Sequence, residues 1–278
     1  RTLAASVVCA YTNTPIAHIQ AGELSGNIDG SARHAIGKFS HIHFASNNDA
    51  AKRLIKLGEE KFRIKIVGAP QLDEITDLKK QKKPKYEDLK KIYSLPNKKE
   101  YYLVIFHSVT EEITQIKKQI EILINSMSDI DEDKIWILPN NDPGSSIIRD
   151  RLLRDSKQRN KIYENFPRSH FLQIMNNSIA IIGNSSAGII EAPSFCLPAV
   201  NIGRRQNKRF RAKNVIDVRV FNKNKIMSAI KKVSSKNFSK LISRIKNPYG
   251  DGNSSRRIID QLKKMQKDKR LIIKNLTY

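Results

Sequence analysis

The most informative segment of this sequence reads Ile181-Ile182-Gly183-Asn184-Ser185-Ser186-Ala187-Gly188-Ile189-Ile190-Glu191. It predicts a buried strand, a tight turn of small and polar residues, and a helix. Such a turn exposes backbone N–H groups at a helix start, where an anion is favoured. The alternative is a serine that caps an ordinary helix. Glu191 would lie about one and a half turns into the helix, where a carboxylate suits ribose hydroxyls better than a phosphate.

The same alternation of apolar strands and helices extends to both sides of this segment. Strands are predicted at 15–19, 41–45, 62–67, 101–106, 134–138 and 199–202. Continuous apolar strands separated by helices are typical of parallel sheets that are covered on both faces. The sequence therefore predicts an α/β protein with two doubly wound domains, in which ligands bind at the carboxyl ends of the strands.

A polar, lysine-rich stretch at 79–100 separates the two blocks of strands. We expect residues 1–78 to belong to a first domain, 79–100 to be a linker with a short helix, and 101–250 to form a second domain. The alternative for 79–100 is an ordinary surface helix and loop. Residues 251–278 are expected to form a C-terminal helix and tail that pack back on the first domain.

Composition excludes several classes of protein. The 278 residues include 51 Lys and Arg against 27 Asp and Glu, a net charge of +24, and residues 151–278 hold 29 of these bases but only 7 of the acids. No apolar run of about 18 residues is present, which excludes a membrane-spanning helix. Two cysteines exclude a disulfide framework and favour a reducing compartment, so we expect a cytoplasmic protein. Nucleic acid is not an expected partner, because no RNA-binding motif accompanies the basic charge.

Two further polar clusters follow predicted strands. The first is the glycine-punctuated loop from His18 to Asp29, with Arg33 shortly after it. The second is His107, which ends a buried strand and could act as an acid, a base or a phosphate donor. The alternatives are helix capping for the loop and a histidine satisfied by backbone groups.

Together these segments resemble the UDP-N-acetylglucosamine 2-epimerase family, most closely its hydrolysing branch from sialic-acid and related nonulosonate pathways. The matching segments follow the family's order along the chain. They are HIQAGELSGNID at 18–29 with RHAI at 33–36, FHSVT at 106–110, GNSSAGIIE at 183–191, NIG at 201–203 with RQ at 205–206, and NPYGDG at 247–252.

The resemblance implies two Rossmann-like domains in the GT-B arrangement, the second of which binds UDP, with the substrate in the cleft between them. The implied reaction converts UDP-N-acetylglucosamine and water into UDP and N-acetylmannosamine through a 2-acetamidoglucal. The UDP-sugar is the implied partner. No cofactor and no metal are expected, and we expect a homo-oligomer at full length.

The resemblance also implies roles for individual residues. Asp29 stands at the position of an active-site acid, Gln20 at another acidic position, and His107 at the active-site histidine. The residues implied to bind UDP or the sugar are Ser185 and Ser186 for the diphosphate, Glu191 for the ribose, Arg33 and Arg205 in the cleft, Asn140 for the sugar and Phe171 beside the uracil.

Two departures from the family pattern have consequences. Gln20 replaces the glutamate of many members, and an amide cannot shuttle a proton. The chain also begins later than family members, which have further β-α units and a Gly-Asp-Arg turn before this point, so we expect an incomplete first domain. This polypeptide by itself is then expected to be unstable in about its first 75 residues, because a sheet without its inner strands exposes edges and apolar faces. A protease-resistant core containing them would contradict this.

Several alternatives remain open at this point. A close variant would hydrolyse a UDP-2,4-diacetamido-2,4,6-trideoxy sugar, and a non-hydrolysing 2-epimerase would share the same residues. A GT-B glycosyltransferase would share the fold and the UDP site. A non-catalytic protein that binds UDP or a polyanion would fit Gln20 and the basic charge.

Overall fold

The computed structural model describes residues 2–25, 29–80, 85–154, 160–265, 269–271, 273–275 and 277. The chain divides into two compact units. Unit 1 comprises Arg1–Lys79, Asn207–Phe210 and Asn247–Tyr278, and unit 2 comprises Lys80–Gln206 and Arg211–Lys246. The stretch 79–100 thus falls almost wholly in unit 2, and the C-terminal segment falls in unit 1.

The first hundred residues alternate helices with short strands. They form α1 (Thr2–Tyr11), β1 (Ala17–Ile19), α2 (Asp29–Phe39), β2 (Ile42–Ala45), α3 (Asn48–Lys56), β3 (Ile64–Ile66), α4 (Asp73–Lys80) and α5 (Tyr86–Tyr93), with 3₁₀ helices at Lys61–Arg63 and Pro70–Leu72.

The remainder begins with a fully buried strand. It forms β4 (Tyr101–Ile105), α6 (Ile116–Ser128), β5 (Asp133–Ile137), α7 (Ser145–Leu153), β6 (Asn160–Tyr163), α8 (Arg168–Asn176), β7 (Ile181–Gly183), α9 (Ala187–Ile190), β8 (Ala199–Ile202), β9 (Val215–Val218), α10 (Lys223–Val233), α11 (Lys236–Ile242) and α12 (Ser254–Met265), with 3₁₀ helices at Thr110–Gln115, Ala192–Phe195 and Lys269–Leu271.

Each unit contains one parallel sheet within its described residues. The sheet of unit 2 has the strand order β6-β5-β4-β7-β8-β9, and Val104 of β4 pairs with Trp136 on one side and Ile182 on the other. The sheet of unit 1 has the order β1-β2-β3, with His18 opposite His43. This confirms the prediction of α/β architecture with parallel sheets. The order in unit 2 reverses between β4 and β7, which is where such folds bind ligands.

The two sheets differ in how completely they are buried. All five residues of β4 are buried. Tyr102 and Val104 belong to the core of unit 2 with side chains from α6 and α10, which include Ile120, Leu123 and Ile230. In unit 1, β1 has two exposed residues out of three. A small core there joins Ile42 and Phe44 of β2 to Ile258 of α12.

A buried arginine ties the C-terminal residues to unit 1. Arg63 is fully buried and donates to the carbonyl oxygens of Arg270 at 3.0 Å, Leu271 at 3.2 Å and Ile273 at 2.5 Å. It also forms a 2.7 Å ion pair with Glu60. Since a guanidinium presents five donors in a fixed fork, one side chain satisfies several carbonyls at once. We call Arg63 and these three carbonyls the carbonyl clamp.

An ionic cluster lies in the same unit. Glu59 is buried and accepts from His43 Nε2 at 2.9 Å and from Lys274 Nζ at 2.8 Å. Burial alone would raise the pKa of Glu59, but the hydrogen bonds from His43 and Lys274 outweigh it and lower the pKa to about 2. The carboxylate is therefore ionised throughout the neutral range.

Elements without a counterpart in the sequence expectations include α1, α4, β6, α8 and β9. The strands β6 and β9 are short, half-polar runs at the two edges of the sheet, so they lack the continuous apolar signal of central strands. Among the described residues, no helix is long and apolar enough to cross a membrane.

Candidate functional site

The loop after β1 is held in an unusual backbone conformation. Gln20 has φ of 59°, and Gly22 has φ of 75°. A Cβ at Gly22 would lie 2.4 Å from the carbonyl oxygen of Ala50, so only glycine lets the loop approach α3 this closely. The Gln20 side chain donates to Gln71 Oε1 at 2.7 Å. This hydrogen bond fixes the Gln20 amide, which stands where many family members have a glutamate.

Glu23 lies in the same loop and was not assigned a role by the sequence analysis. It is buried and accepts from Ser46 Oγ at 2.5 Å. One of its oxygens lies 3.8 Å from a nitrogen of Arg33 and 3.8 Å from a nitrogen of Arg209. The buried carboxylate thus lies within ion-pair distance of two guanidinium groups, one of which belongs to the predicted substrate-binding residue Arg33. The sequence signal that could have identified Glu23 is its acidic side chain in the loop from His18 to Asp29, which was already predicted to bind a ligand.

The predicted acid Asp29 is the first residue of α2. Its side chain, like residues 26–28, lies outside the described residues. Arg33 follows four positions later on the same helix.

His107 follows β4 and is fixed at several atoms. Its backbone N–H donates to Asn184 Oδ1 at 2.7 Å, and Asn184 Nδ2 donates back to the His107 carbonyl at 2.8 Å. The ring Nδ1 accepts from the backbone N–H of Asn140 at 3.2 Å. Burial, reinforced by the charge of Arg205, lowers the pKa of His107 to about 4. The ring is therefore neutral at pH 7 with its proton on Nε2.

The backbone carbonyl of Asn184 joins His107 to a second group of predicted residues. Gln206 Nε2 donates to this carbonyl at 2.9 Å and Arg205 Nη1 at 3.4 Å. Asp142 lies 3.9 Å from Arg205 and accepts from Asn140 Nδ2 at 2.6 Å. His107, Asn140 and Arg205 are thus brought together in unit 2.

The turn between β7 and α9 requires glycine at its first position. Gly183 has φ of 128°, and a Cβ there would lie 2.0 Å from the carbonyl oxygen of Ile105. Ser185 Oγ accepts from the backbone N–H of Ala187 at 3.3 Å, and both Ser185 and Ser186 are half-buried. The two hydroxyls predicted to bind the diphosphate therefore lie immediately after the residue that bonds His107.

The helix after this turn is shorter than expected. It ends at Ile190, and a 3₁₀ helix containing Pro193 follows at once, so Glu191 lies just beyond the last residue of α9. Glu191 is buried and forms a 2.6 Å ion pair with Arg168, the first residue of α8. The Arg168 guanidinium carbon also lies 5.7 Å from the ring centre of Phe171. Arg168 was missed because 23 positions separate it from Glu191 in sequence.

The described residues contain no group of three or more His, Cys, Asp or Glu side chains that could hold a metal ion.

The site residues fall into two sets. Gln20, Asp29 and Arg33 belong to unit 1, and the other predicted residues belong to unit 2.

Comparison with known proteins places these residues in a family. The family model described as UDP-N-acetylglucosamine 2-epimerase matches residues 1–263. A Legionella pneumophila protein named UDP-N,N'-diacetylbacillosamine 2-epimerase (hydrolyzing) is 37% identical over 262 residues, which are 94% of this chain and 67% of that protein. A Neisseria meningitidis UDP-N-acetylglucosamine 2-epimerase is 34% identical over 233 residues, 84% of this chain and 60% of that protein.

The solved structures agree on the fold. The Neisseria meningitidis UDP-GlcNAc 2-epimerase bound to UDP-GlcNAc superposes with a TM-score of 0.81 at 20% identity, over 94% of this chain and 73% of that one. The chain spans 60% to 67% of the length of the two curated relatives above. Matched along nearly all of its residues by the family model, the chain belongs to the UDP-N-acetylglucosamine 2-epimerase family.

Proposed function

We propose that this protein is a hydrolysing 2-epimerase that converts UDP-N-acetylglucosamine and water into UDP and N-acetylmannosamine. The observation that carries the proposal is the protonation state of the His107 ring. Its Nδ1 is occupied by the Asn140 N–H and its pKa is about 4, so Nε2 presents a proton at neutral pH. That proton, with the Arg205 guanidinium beside it, suits a phosphate oxygen on which negative charge develops.

The first step is an elimination. The C2–H bond breaks and its proton passes to a base. The electron pair forms the C1–C2 double bond, and the C1–O bond breaks with its electrons on the departing UDP oxygen. His107 and Arg205 stabilise that oxygen, and Ser185 and Ser186 bind the diphosphate. We assign the base to Asp29 at the start of α2.

The second step is the addition of water to the 2-acetamidoglucal. The water oxygen bonds to C1 and the water gives up a proton. A proton bonds to C2 on the face opposite to the one from which the first proton was removed. The sum of the two steps is one water consumed, one C–O bond hydrolysed and one centre inverted. Gln20 takes no proton in this scheme, since its amide is bonded to Gln71. It contributes only hydrogen bonding.

A second substrate is favoured by one comparison. The relative with 37% identity carries the name of a UDP-N,N'-diacetylbacillosamine 2-epimerase (hydrolyzing), and the one with 34% identity that of a UDP-N-acetylglucosamine 2-epimerase. The same residues would catalyse the same two steps on the 2,4-diacetamido-6-deoxy sugar. A homo-oligomer stays a prediction from the family resemblance, and a cytoplasmic location stays a prediction from the cysteine content.

The test is to incubate the protein with each UDP-sugar separately in D₂O and to follow products by proton NMR. We expect free UDP together with the 2-epimeric sugar carrying deuterium at C2. His107→Ala should lower the rate about 10²- to 10⁴-fold. The matched control is His170→Gln, since the ring of His170 packs against Tyr93 and bonds its hydroxyl at 2.8 Å.

Three results would contradict the proposal. Formation of UDP-N-acetylmannosamine without free UDP would indicate a non-hydrolysing 2-epimerase. Transfer of the sugar to an added acceptor would indicate a glycosyltransferase. Salt-sensitive DNA binding without UDP binding would indicate a polyanion-binding protein.

A further inference from the structure

The chain topology brings Arg168 and Glu191 to the same edge of the unit 2 sheet. The parallel strand β6 runs to Tyr163 and is followed by α8, which begins at Arg168. The parallel strand β7 ends at Gly183 and leads to Glu191. Since the carboxyl ends of parallel strands share an edge, the start of α8 and the turn after β7 meet there.

Glu191 carries its charge in a buried position. Its side chain is only 7% exposed, while that of Arg168 is 34% exposed. A buried carboxylate needs a counter-charge and hydrogen-bond donors, because burial removes its water. The 2.6 Å contact from Arg168 Nη1 to Glu191 Oε1 provides both. This bond also fixes the direction of the carboxyl group.

We propose that Arg168 is a positioning residue for the nucleoside, which acts by holding the Glu191 carboxylate towards the ribose hydroxyls. This inference rests on the proposed function, because it requires that unit 2 binds UDP. The ion pair with Arg168 fixes the orientation of the Glu191 carboxylate, so that a ribose hydroxyl can donate to this group without prior reorganisation of the side chain.

The contact of Arg168 with Phe171 extends the same role to the base. The two residues lie three positions apart on α8, and the guanidinium is 5.7 Å from the ring centre. A cation beside an aromatic ring is attracted to it and restricts its motion. Arg168 therefore links the residue predicted to contact uracil with the residue predicted to contact ribose.

The test compares UDP with 2′-deoxy-UDP by isothermal titration calorimetry. The wild-type protein should prefer UDP about ten- to hundredfold, the range for one hydrogen bond to a charged group. Arg168→Met keeps the side-chain length and removes the charge, so it should weaken UDP binding and bring the ratio close to one. Glu191→Gln should do the same, and the double variant should lose no further discrimination, since both substitutions remove one interaction.

Arg168→Lys provides the conservative comparison, because it retains the charge but not the fork geometry and should keep part of the discrimination. Arg149→Met is the matched control, since it removes the exposed 3.1 Å ion pair of Arg149 with Glu164 in the same unit and should leave the ratio unchanged. The lysine variant also serves if the methionine variant does not fold.

The outcomes separate this inference from the proposed function. If the wild type binds UDP and Arg168→Met or Arg168→Lys retains the full preference for UDP, Arg168 does not position Glu191. If the wild type binds neither nucleotide, the proposed function fails and takes this inference with it. A ratio that collapses in Arg168→Met and is partly restored in Arg168→Lys supports the inference.

Discussion

Unit 2 and unit 1 are both α/β, yet different forces hold them. The central strand of unit 2 is buried at every residue and is surrounded by aliphatic side chains. Unit 1 has a short strand with exposed residues, small apolar cores, and a buried ionic cluster beside the carbonyl clamp. Apolar burial is insensitive to pH, whereas buried ion pairs are not. The two units should therefore respond differently to the same perturbation.

The largest expected effect comes from opening the carbonyl clamp. Arg63→Met leaves three tail carbonyls and the Glu60 carboxylate without their donor, which should destabilise unit 1 by about 3–5 kcal/mol. Hydrogen–deuterium exchange of unit 1 peptides should rise. Fluorescence of Trp136, which lies in β5 and is the single tryptophan of the chain, should show an unchanged unit 2. Arg256→Met removes an exposed arginine of unit 1 and should change little.

A cavity in the core of unit 2 should destabilise unit 2 and leave unit 1 nearly unchanged. Leu123→Ala removes a fully buried side chain of α6 and should cost about 2–5 kcal/mol, since the surrounding core cannot fully collapse. Urea unfolding followed by Trp136 fluorescence should show a lower midpoint. Leu153→Ala, at a side chain that is 54% exposed, is the control. Equal losses in the two variants would show that apolar burial does not dominate unit 2.

Acid should weaken unit 1 before unit 2. Burial lowers the pKa of His18 to about 4, helped by nearby positive charges, and burial also lowers the pKa of His43 despite Glu59. A lowered histidine pKa contributes stability above the unfolded value near 6.5, which is lost as the pH falls towards the folded value. Each such group contributes at most about 1.4 kcal/mol per pH unit in that window.

The measurement is hydrogen exchange between pH 6.5 and 4, corrected for the intrinsic exchange rate. Glu59 should retain its contribution down to the unfolded value near 4.5 and begin to lose it only between there and pH 4, because its pKa in the folded protein is about 2. Unit 2 contains His107 with a similarly lowered pKa, so some loss is expected there too. Larger acid sensitivity in unit 2 than in unit 1 would break the comparison.

The smallest expected loss of stability comes from removing a helix cap, and the same substitution can be made in both units. Asn47 caps α3 by accepting from the Ala50 N–H at 2.9 Å, and Asn222 caps α10 by accepting from the Lys225 N–H at 3.0 Å. Replacement of either residue by alanine should cost about 1 kcal/mol. Since Asn47 is buried and Asn222 is exposed, the loss at Asn47 should be larger. Chemical denaturation with peptide-resolved exchange assigns each loss to its unit.

The sequence predicted what depends on local pattern. The strand at Ala199–Ile202 has the expected bounds, because a buried apolar run and flanking turn residues mark it. His107, Asn140 and Arg205 come from separate segments of the chain and lie together in unit 2. Their motifs identified them, but not the Asn184 side chain and carbonyl that hold them together.

What the sequence did not predict depends on contacts between distant segments. Arg63 reads as an ordinary surface base beside Glu60, and only its carbonyl partners more than 200 positions away make it a buried anchor. Glu191 was placed inside a helix, because the pattern does not show that α9 ends at Ile190 and that a separate 3₁₀ helix begins at Ala192. Arg168 lacked a pattern altogether, since α8 was not recognised.

The carbonyl clamp has a consequence for synthesis on the ribosome. Arg63 emerges early, but its partners at Arg270, Leu271 and Ile273 emerge only after the whole of unit 2 has been translated. Unit 2 can bury its sheet as soon as its own residues have left the exit tunnel. Arg63 therefore stays hydrated and without these partners until residues 270–273 have emerged, so unit 1 acquires its final structure after unit 2.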